Sequence, residues 1–510
     1  MSIAVDLTSG RLLARNTLLN LGGEIVPFLV GLVALPILIH GIGVNRYGII
    51  TLSAMVVGYF GLFDFGLGAA ATKLIAEAAG SGDRPTISNL FWTSLLLMFV
   101  FGSCGGVLAA ASSPWLVQHV FRISPSLRSE ALHAFYLLAL SLPFVISAGS
   151  LRGTLAAFQR FDLINAVRVP MGVFSYIGPL LVLPFSHRLG DLVAVMVVGR
   201  LGAWLASLLL CFRLLPELRG NPAFSRTTAL PMLRFGGWVT VSLIVGPIMV
   251  YFDRFLIGAM LSMAAVAYYA VPYQVASKLL IVSAAFEGVA FAGFSSSLGT
   301  NPRRAALIFQ RATLAILFAL FPIVLMIAAL APEGLRLWLG SEFARNSSGV
   351  LRWLAIGVFM NALARMPFAL LLAAHRPDLT AKLHVAEVPF YCLFLWWILP
   401  RYGVEGAAIA WTLRVSADMA VLFVMSWRLL PSARSAIAQV APVIAIAGLL
   451  FCGGFAFQTF RGAVPFLGIV LALSGAGLWG LVLGPDEKAL IRRILRSARA
   501  FPGEMARSWF

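Results

Sequence analysis

HRLGDLVAVMVVGRLGAWLASLLLCFRLLP, residues His187 to Pro216, returns in degenerate form as PRYGVEGAAIAWTLRVSADMAVLFVMSWRLLP, Pro400 to Pro431. Each passage is an apolar segment interrupted by an arginine. Asp191 falls on Glu405, Arg200 on Arg414, and Arg213 with its Leu-Leu-Pro on Arg428 with its own. A second pair aligns without gaps at nearly the same offset: AAFQRFDLINAVRV from Ala156 and LAAHRPDLTAKLHV from Leu372 match Arg160 to Arg376 and Asp162 to Asp378. Near the start of each half, Leu21–Gly23 matches Phe235–Gly237. One sequence unit has been used twice, as in transporters built from internal repeats.

Composition fixes the solvent. Of 510 residues, 60% are hydrophobic and 11% charged, outside the range of soluble globular domains. The net charge of +18 would point to nucleic acid in a soluble chain. Here the basic residues sit between apolar runs, as the positive-inside rule requires, and nucleic acid is excluded as a partner. The four cysteines are isolated, without disulfide or zinc spacing, and the six histidines are scattered, with His40, His119, His187 and His375 near segment ends. No cofactor or metal is expected.

Runs of about 20 apolar residues, enough to cross the hydrocarbon, can be placed fourteen times. The expectation is an all-α polytopic membrane protein with fourteen transmembrane helices. Helices 1–6 and 7–12 form two six-helix bundles related by a pseudo-two-fold axis along the membrane normal, and helices 13 and 14 stand outside the repeat. The corresponding boundaries are 1–216, 217–431, 432–484 and a basic tail at 485–510. Lys and Arg concentrate at the N-terminus, in the even-numbered connections and in the tail, with Arg152, Arg160 and Arg168 read as one cytoplasmic group. Both termini are therefore expected in the cytoplasm. In the tail, KALIRRILRSARAF separates leucines and isoleucines from arginines, which fits an interfacial helix on anionic lipid or an ordinary basic tail.

Ionisable groups in mid-bilayer cost at least about 2.5–3.5 kcal/mol on insertion scales and usually face a cavity or a partner. Glu24 and Asp64 both lie ~13 Å from the cytoplasmic ends of helices 1 and 2 at 1.5 Å per residue. They are the candidates for proton or sodium coupling, if they face one another, or else structural groups paired with arginine or capping a helix break. Arg200 and Arg414 sit mid-span, and with Lys278, Arg352 and Arg365 they are candidates for binding an anionic group, since guanidinium forks match phosphate oxygens. The alternative is pairing with Asp253, Glu287 or Asp418, with Arg414 and Asp418 one helical turn apart. Arg200 has no acid within a turn of its own helix, which makes it the foremost anion-site candidate.

The opening segment carries a resemblance. RNTLLNLGGEIVPFLVGLVALPILIHGIGVNRYGIITL, then GLFDFGLGAAATKLIAEAAGSGD, resembles the polysaccharide transporter (Wzx-like) flippases of the multidrug/oligosaccharidyl-lipid/polysaccharide (MOP) exporter superfamily, most specifically over residues 15–83. The resemblance implies two six-helix lobes and alternating access. It implies a substrate too, an undecaprenyl-diphosphate-linked oligosaccharide moved from the cytoplasmic to the periplasmic leaflet of a bacterial inner membrane for O-antigen, capsule or exopolysaccharide synthesis. Membrane lipids, polysaccharide polymerases and glycosyltransferases would be its neighbours, and helices 13 and 14 would flank a groove for the lipid tail. Two other readings remain. A multidrug antiporter of the same superfamily would share the core, but intramembrane arginines repel an organic cation. A polymerase or glycosyltransferase would need a catalytic acid on a long periplasmic loop, and the longest such loop offers only Glu130; no phosphate-binding GxxxxGK[ST] is present either.

Overall fold

The computed structural model describes residues 10–60, 64, 66–220, 224–225, 228–233, 249, 251–456, 460–477, 479–480 and 488. The expected seventh span (235–258) is largely outside these residues, as are Phe235–Gly237 and the basic tail apart from Lys488. Among the described residues the elements are helical: α1 (Gly10–Ile42), α2 (Val44–Phe60), α3 (Leu67–Ser81), α4 (Arg84–Trp115), α5 (Pro125–Ala157), α6 (Phe161–Val182), α7 (Leu189–Leu214), α8 (Met263–Ser277), α9 (Leu280–Ser297), α10 (Pro302–Leu339), α11 (Ser341–Ala373), α12 (Pro377–Leu429), α13 (Arg434–Ala456) and α14 (Phe460–Gly477). Ten helices among the described residues are long and apolar enough to cross a membrane by length and composition. Many of their lipid-length faces carry exposed leucine, valine and isoleucine, which is the expected surface where the surrounding solvent is hydrocarbon.

Three expected spans take a different form. The second (49–76) consists of α2 and α3 with Asp64 between them, and Gly66 ends the interruption in the left-handed region (φ 66°). The eighth (265–294) breaks at Lys278 and Leu279, a turn separating α8 from α9. Helices 11 and 12 join as the two segments of α12, which meet at Gly403, where φ is 56° and ψ −142°. That backbone is open to glycine and strained for other residues.

The chain divides into two compact units, one of residues 1–270 and 388–407, the other of 271–387 and 408–510. In the first, α4 starts at an Asp83 cap: the carboxylate accepts the Thr86 amide at 3.1 Å and its hydroxyl at 2.6 Å. These bonds hold the Asp83 carboxyl below the usual carboxylate range. Further along, α4 packs tightly on α5, and a β-carbon at Gly102 would come 2.7 Å from the Pro143 Cα. Arg46 grips Glu130 with two N–H groups (3.0 and 2.9 Å), and Glu130 also accepts the Leu189 amide at 3.2 Å, which ties the first turns of α2, α5 and α7 together. In the second unit, α10 and α11 pack around Phe321, Phe359 and Phe451, with ring centroids 4.9–5.9 Å apart, and α13 closes on the same core.

The repeat is visible in backbone detail inside each unit. After α5, Gln159 adopts φ 54°, and the Gln159 and Arg160 amides return to the Ala156 and Leu155 carbonyls at 2.9 Å each. After α11, His375 adopts φ 58°, and the His375 and Arg376 amides return to Leu372 and Leu371 at 3.0 Å each. This paired closure is the Schellman arrangement, here with a non-glycine residue in the left-handed position. Both turns are then locked by a guanidinium on an aspartate two residues on, Arg160 on Asp162 (2.9 and 2.8 Å) and Arg376 on Asp378 (3.0 and 3.4 Å). The Leu-Leu-Pro ends match as well. Leu215 (φ −129°, ψ 84°) and Leu430 (φ −122°, ψ 86°) each lead into a 3₁₀ turn beginning at proline.

Candidate functional site

Helical spacing gathers three basic stripes in the first unit. On α5, Phe144, Ala148 and Arg152 follow at intervals of four; on α6, Ile164, Arg168 and Met171; on α7, Arg200, Trp204 and Ser207. Side chains three and four residues apart lie above one another, so each helix presents one such stripe. The three stripes enclose a cavity of about 330 Å³ lined by Arg152, Arg168, Arg200, Trp204, Phe144 and Ser175 among others. Ligand sites span roughly 300–1,000 Å³, so this one suits a headgroup and not a whole oligosaccharide.

The three arginines differ in their surroundings. Arg168 Nη1 lies 3.4 Å from Glu24 Oε1 of α1. α1 can come this close because residue 23 is glycine: a β-carbon there would overlap the Arg168 guanidinium and the Asn165 side-chain oxygen. The glycine of the Leu21–Gly23 motif is thus a clearance for the ion pair. Arg152 is within electrostatic range of both Asp64 and Arg168. Asp64 in turn accepts the Gly68 amide at 3.0 Å, at the start of α3. Arg200 has a weaker tether, a 3.3 Å hydrogen bond from Nη1 to Ser141 Oγ, and makes no ion pair among the described residues. One turn on, the Trp204 indole donates to Ser147 Oγ at 2.9 Å and stacks edgewise on Phe144 at 5.5 Å. The site therefore has two cations with acids close by, one cation without, an aromatic wall and hydroxyls. An arrangement of this kind can accept an anion, with carboxylates already beside two of its three guanidiniums.

Of the residues expected to bind an anion, Arg200 alone lines this cavity. The others lie in the second unit, where their partners are local. Arg414 pairs with Glu387 at 3.5 Å, while Asp418, expected as its helical partner, lies 3.5 Å from His384. Arg365 is held by Glu287 at 2.5 Å, and Arg352 donates to the Ala328 carbonyl at 2.9 Å. Lys278 stands at the turn between α8 and α9. Glu24 and Asp64 follow the alternative reading of structural groups: Glu24 pairs with Arg168, and Asp64 caps the start of α3.

Arg152 and Arg168 were expected in a cytoplasmic loop group; both are inside helices instead. The signal that locates them is the Gln159–Asp162 turn. Once that turn is recognised as the end of α5 and start of α6, Arg152 falls a turn and a half inside one helix and Arg168 two turns inside the next. Glu387 had no such signal, because its partners are some thirty residues away.

Comparison with known proteins bears on the family and the fold. A Shigella flexneri protein named as a candidate O-antigen transporter is 29% identical over 410 residues, 80% of this chain and 96% of its own. Among solved structures, an inward-facing multidrug resistance MATE family transporter of the MOP superfamily superposes with a TM-score of 0.66 at 15% identity, over 82% of this chain and 96% of its own. A MOP superfamily transporter from Pyrococcus furiosus, described as having a binding pocket of reversed polarity, gives 0.59 at 16% identity, over 83% and 96%. These structural likenesses establish the fold. The family description "polysaccharide biosynthesis protein" matches residues 13–297, more than half of the sequence, and the chain belongs to that family.

Proposed function

We propose that the protein is a flippase that moves an undecaprenyl-diphosphate-linked oligosaccharide from the cytoplasmic to the periplasmic leaflet of a bacterial inner membrane by alternating access. The observation that carries this reading is the cavity bounded by Arg152, Arg168 and Arg200, in which one guanidinium makes no ion pair among the described residues. An arginine held in a membrane costs at least about 2.5–3.5 kcal/mol unless something compensates it. Two phosphate groups offer that compensation through charge-assisted bonds of about 1.5–3 kcal/mol each.

On this reading Glu24 and Asp64 balance Arg168 and Arg152 when the site is empty, and ligand phosphates take over that role when it is full. The relative described as an O-antigen transporter supports the substrate class. The architecture that goes with it is fourteen transmembrane helices as two six-helix bundles (1–216 and 217–431) plus helices 13 and 14 (432–484), with both termini cytoplasmic. Of the other cations considered for the anion, Arg414, Arg352 and Arg365 have local partners in the second unit, and Lys278 stands outside the cavity lining; polymerases and glycosyltransferases supply and use the substrate.

The fold is shared with multidrug transporters, which keeps drug efflux as the rival. Expression in a host lacking its own flippase separates the two. Restored surface polysaccharide supports the proposal; drug resistance gained without polysaccharide refutes it.

A further inference from the structure

The second unit holds a buried charge cluster that the anion cavity does not use. His384 and Glu387 lie three residues apart on the first segment of α12, and Arg414 and Asp418 four apart on its second segment, so each pair projects from one helix face. The Gly403 break lets one helix supply both pairs. Arg414 Nη1 is 3.5 Å from Glu387 Oε2, and His384 Nε2 is 3.5 Å from Asp418 Oδ1. The two acids also interact with each other. The side chains of Arg414, Glu387 and Asp418 are 14%, 13% and 11% exposed. Both Glu387 oxygens and Asp418 Oδ1 are shut from water and have no hydrogen-bond partner among the described residues.

The charge count is unbalanced. Two carboxylates face one guanidinium, and a neutral imidazole, itself a third exposed, leaves one negative charge beside carboxylate oxygens that are shut from water. A single proton, on the imidazole or shared by the carboxyls, restores neutrality and supplies the missing hydrogen-bond donor. Other charged groups on the same helices have partners of their own. On α11, Phe368 stacks its ring on His384 (6.3 Å, 19°), Arg365 is held by Glu287, and Arg352 is held by the Ala328 carbonyl. On the first turns of α12, Arg376 and Lys382 are engaged by Asp378. A metal cation would meet the guanidinium and imidazole beside both acids, and their positive charge disfavours it.

We propose that His384, Glu387, Arg414 and Asp418 form a site that binds one proton, and that its loading and release couple lipid-linked oligosaccharide translocation to the proton gradient. The coupling half rests on the flippase reading; the proton-binding half does not. Proton coupling thereby moves from Glu24 and Asp64, each held by its own partner in the first unit, to a cluster whose neutral state requires a proton.

The test uses full-length protein in lipid nanodiscs, with protons counted by a pH-indicator dye between about pH 5 and 8, the window in which histidine and coupled acids titrate. Glu387→Gln and Asp418→Asn, checked for wild-type elution and unfolding temperature, should each take up about one proton fewer than the wild type. Glu387→Leu, which likewise removes one of the two carboxylates, replaces either of those if it fails to fold. An unchanged proton count in all properly folded variants overturns the site. In proteoliposomes carrying the lipid-linked oligosaccharide, the wild-type rate should change severalfold with an imposed pH gradient and the Glu387→Gln rate should ignore it. Equal responses in both proteins, or none in an active wild type, overturn the coupling. Absence of any translocation, with the proton count as expected, refutes the flippase reading and leaves the proton site standing.

Discussion

Arg200→Ala separates a binding role from a structural one, because the two make opposite predictions for stability. Arg200 is tethered by one long hydrogen bond to Ser141 and lacks an ion pair among the described residues. Losing that bond, long at 3.3 Å and so at the low end for a charged donor, costs about 1.5 kcal/mol. Removing a poorly compensated cation from the membrane recovers up to about 3 kcal/mol, less where the cavity is wet. The balance for folding is therefore neutral to stabilising by roughly 1–2 kcal/mol. For ligand binding the sign reverses. A bidentate guanidinium–phosphate contact contributes about 3 kcal/mol, which corresponds to a loss of ~100-fold in affinity. Arg200→Lys keeps the charge without the fork and should fall between, near tenfold. Affinity of the purified variants for undecaprenyl diphosphate, measured beside their thermal unfolding in the same detergent, reads both quantities. Unchanged affinity in Arg200→Ala would refute the assignment. Lost affinity accompanied by a lower unfolding temperature would refute the claim that the side chain is held for the ligand and not for the fold.

Three further outcomes follow from single contacts. Glu24→Gln removes the counter-ion of Arg168, a half-exposed pair at 3.4 Å whose worth is up to about 1 kcal/mol, so diphosphate affinity should rise by up to ~5-fold and a competition binding assay should detect it. Gly102→Leu forces a side chain against the Pro143 backbone where even a β-carbon would come within 2.7 Å; it should destabilise the α4–α5 seam by about 1–3 kcal/mol or more and lower the yield of monodisperse protein on size-exclusion chromatography. Asp83 has its pKa lowered by the Thr86 bonds, so its capping contribution is complete above the ordinary carboxylate pKa and fades as pH falls through the depressed value. Hydrogen-exchange protection at the first turn of α4, taken relative to the intrinsic exchange rate at each pH, should therefore fall on acidification, and Asp83→Ala should remove that acid sensitivity.

The duplicated passages carried most of what the fold required. The Arg-x-Asp element at Arg160 and Arg376 and the Leu-Leu-Pro ends recur as matching turns because each rests on local chemistry: a left-handed residue, a guanidinium on a nearby carboxylate, and a proline that cannot continue a helix. Hydropathy was blind to the breaks at Asp64 and at Lys278, since both lie within runs apolar enough to pass as single spans. It was equally blind to Arg152 and Arg168, because charge near the end of an apolar run reads as a loop whether the helix has ended or not. Arg200 was legible from its own helix, which lacks an acid one turn away. Arg414 was not: its neighbour Asp418 looked like the partner, and Glu387, from the preceding segment of α12, took that place. Pairings made through space are where a single sequence says least.

The most direct test of the central claim is binding of two lipids that differ only in the diphosphate, undecaprenyl diphosphate and undecaprenol, to the wild type and to the combined Arg152→Ala, Arg168→Ala, Arg200→Ala protein in nanodiscs. The account predicts that the wild type strongly prefers the diphosphate lipid and that the triple variant binds both equally weakly. Retention of the wild-type preference by the folded triple variant would contradict it.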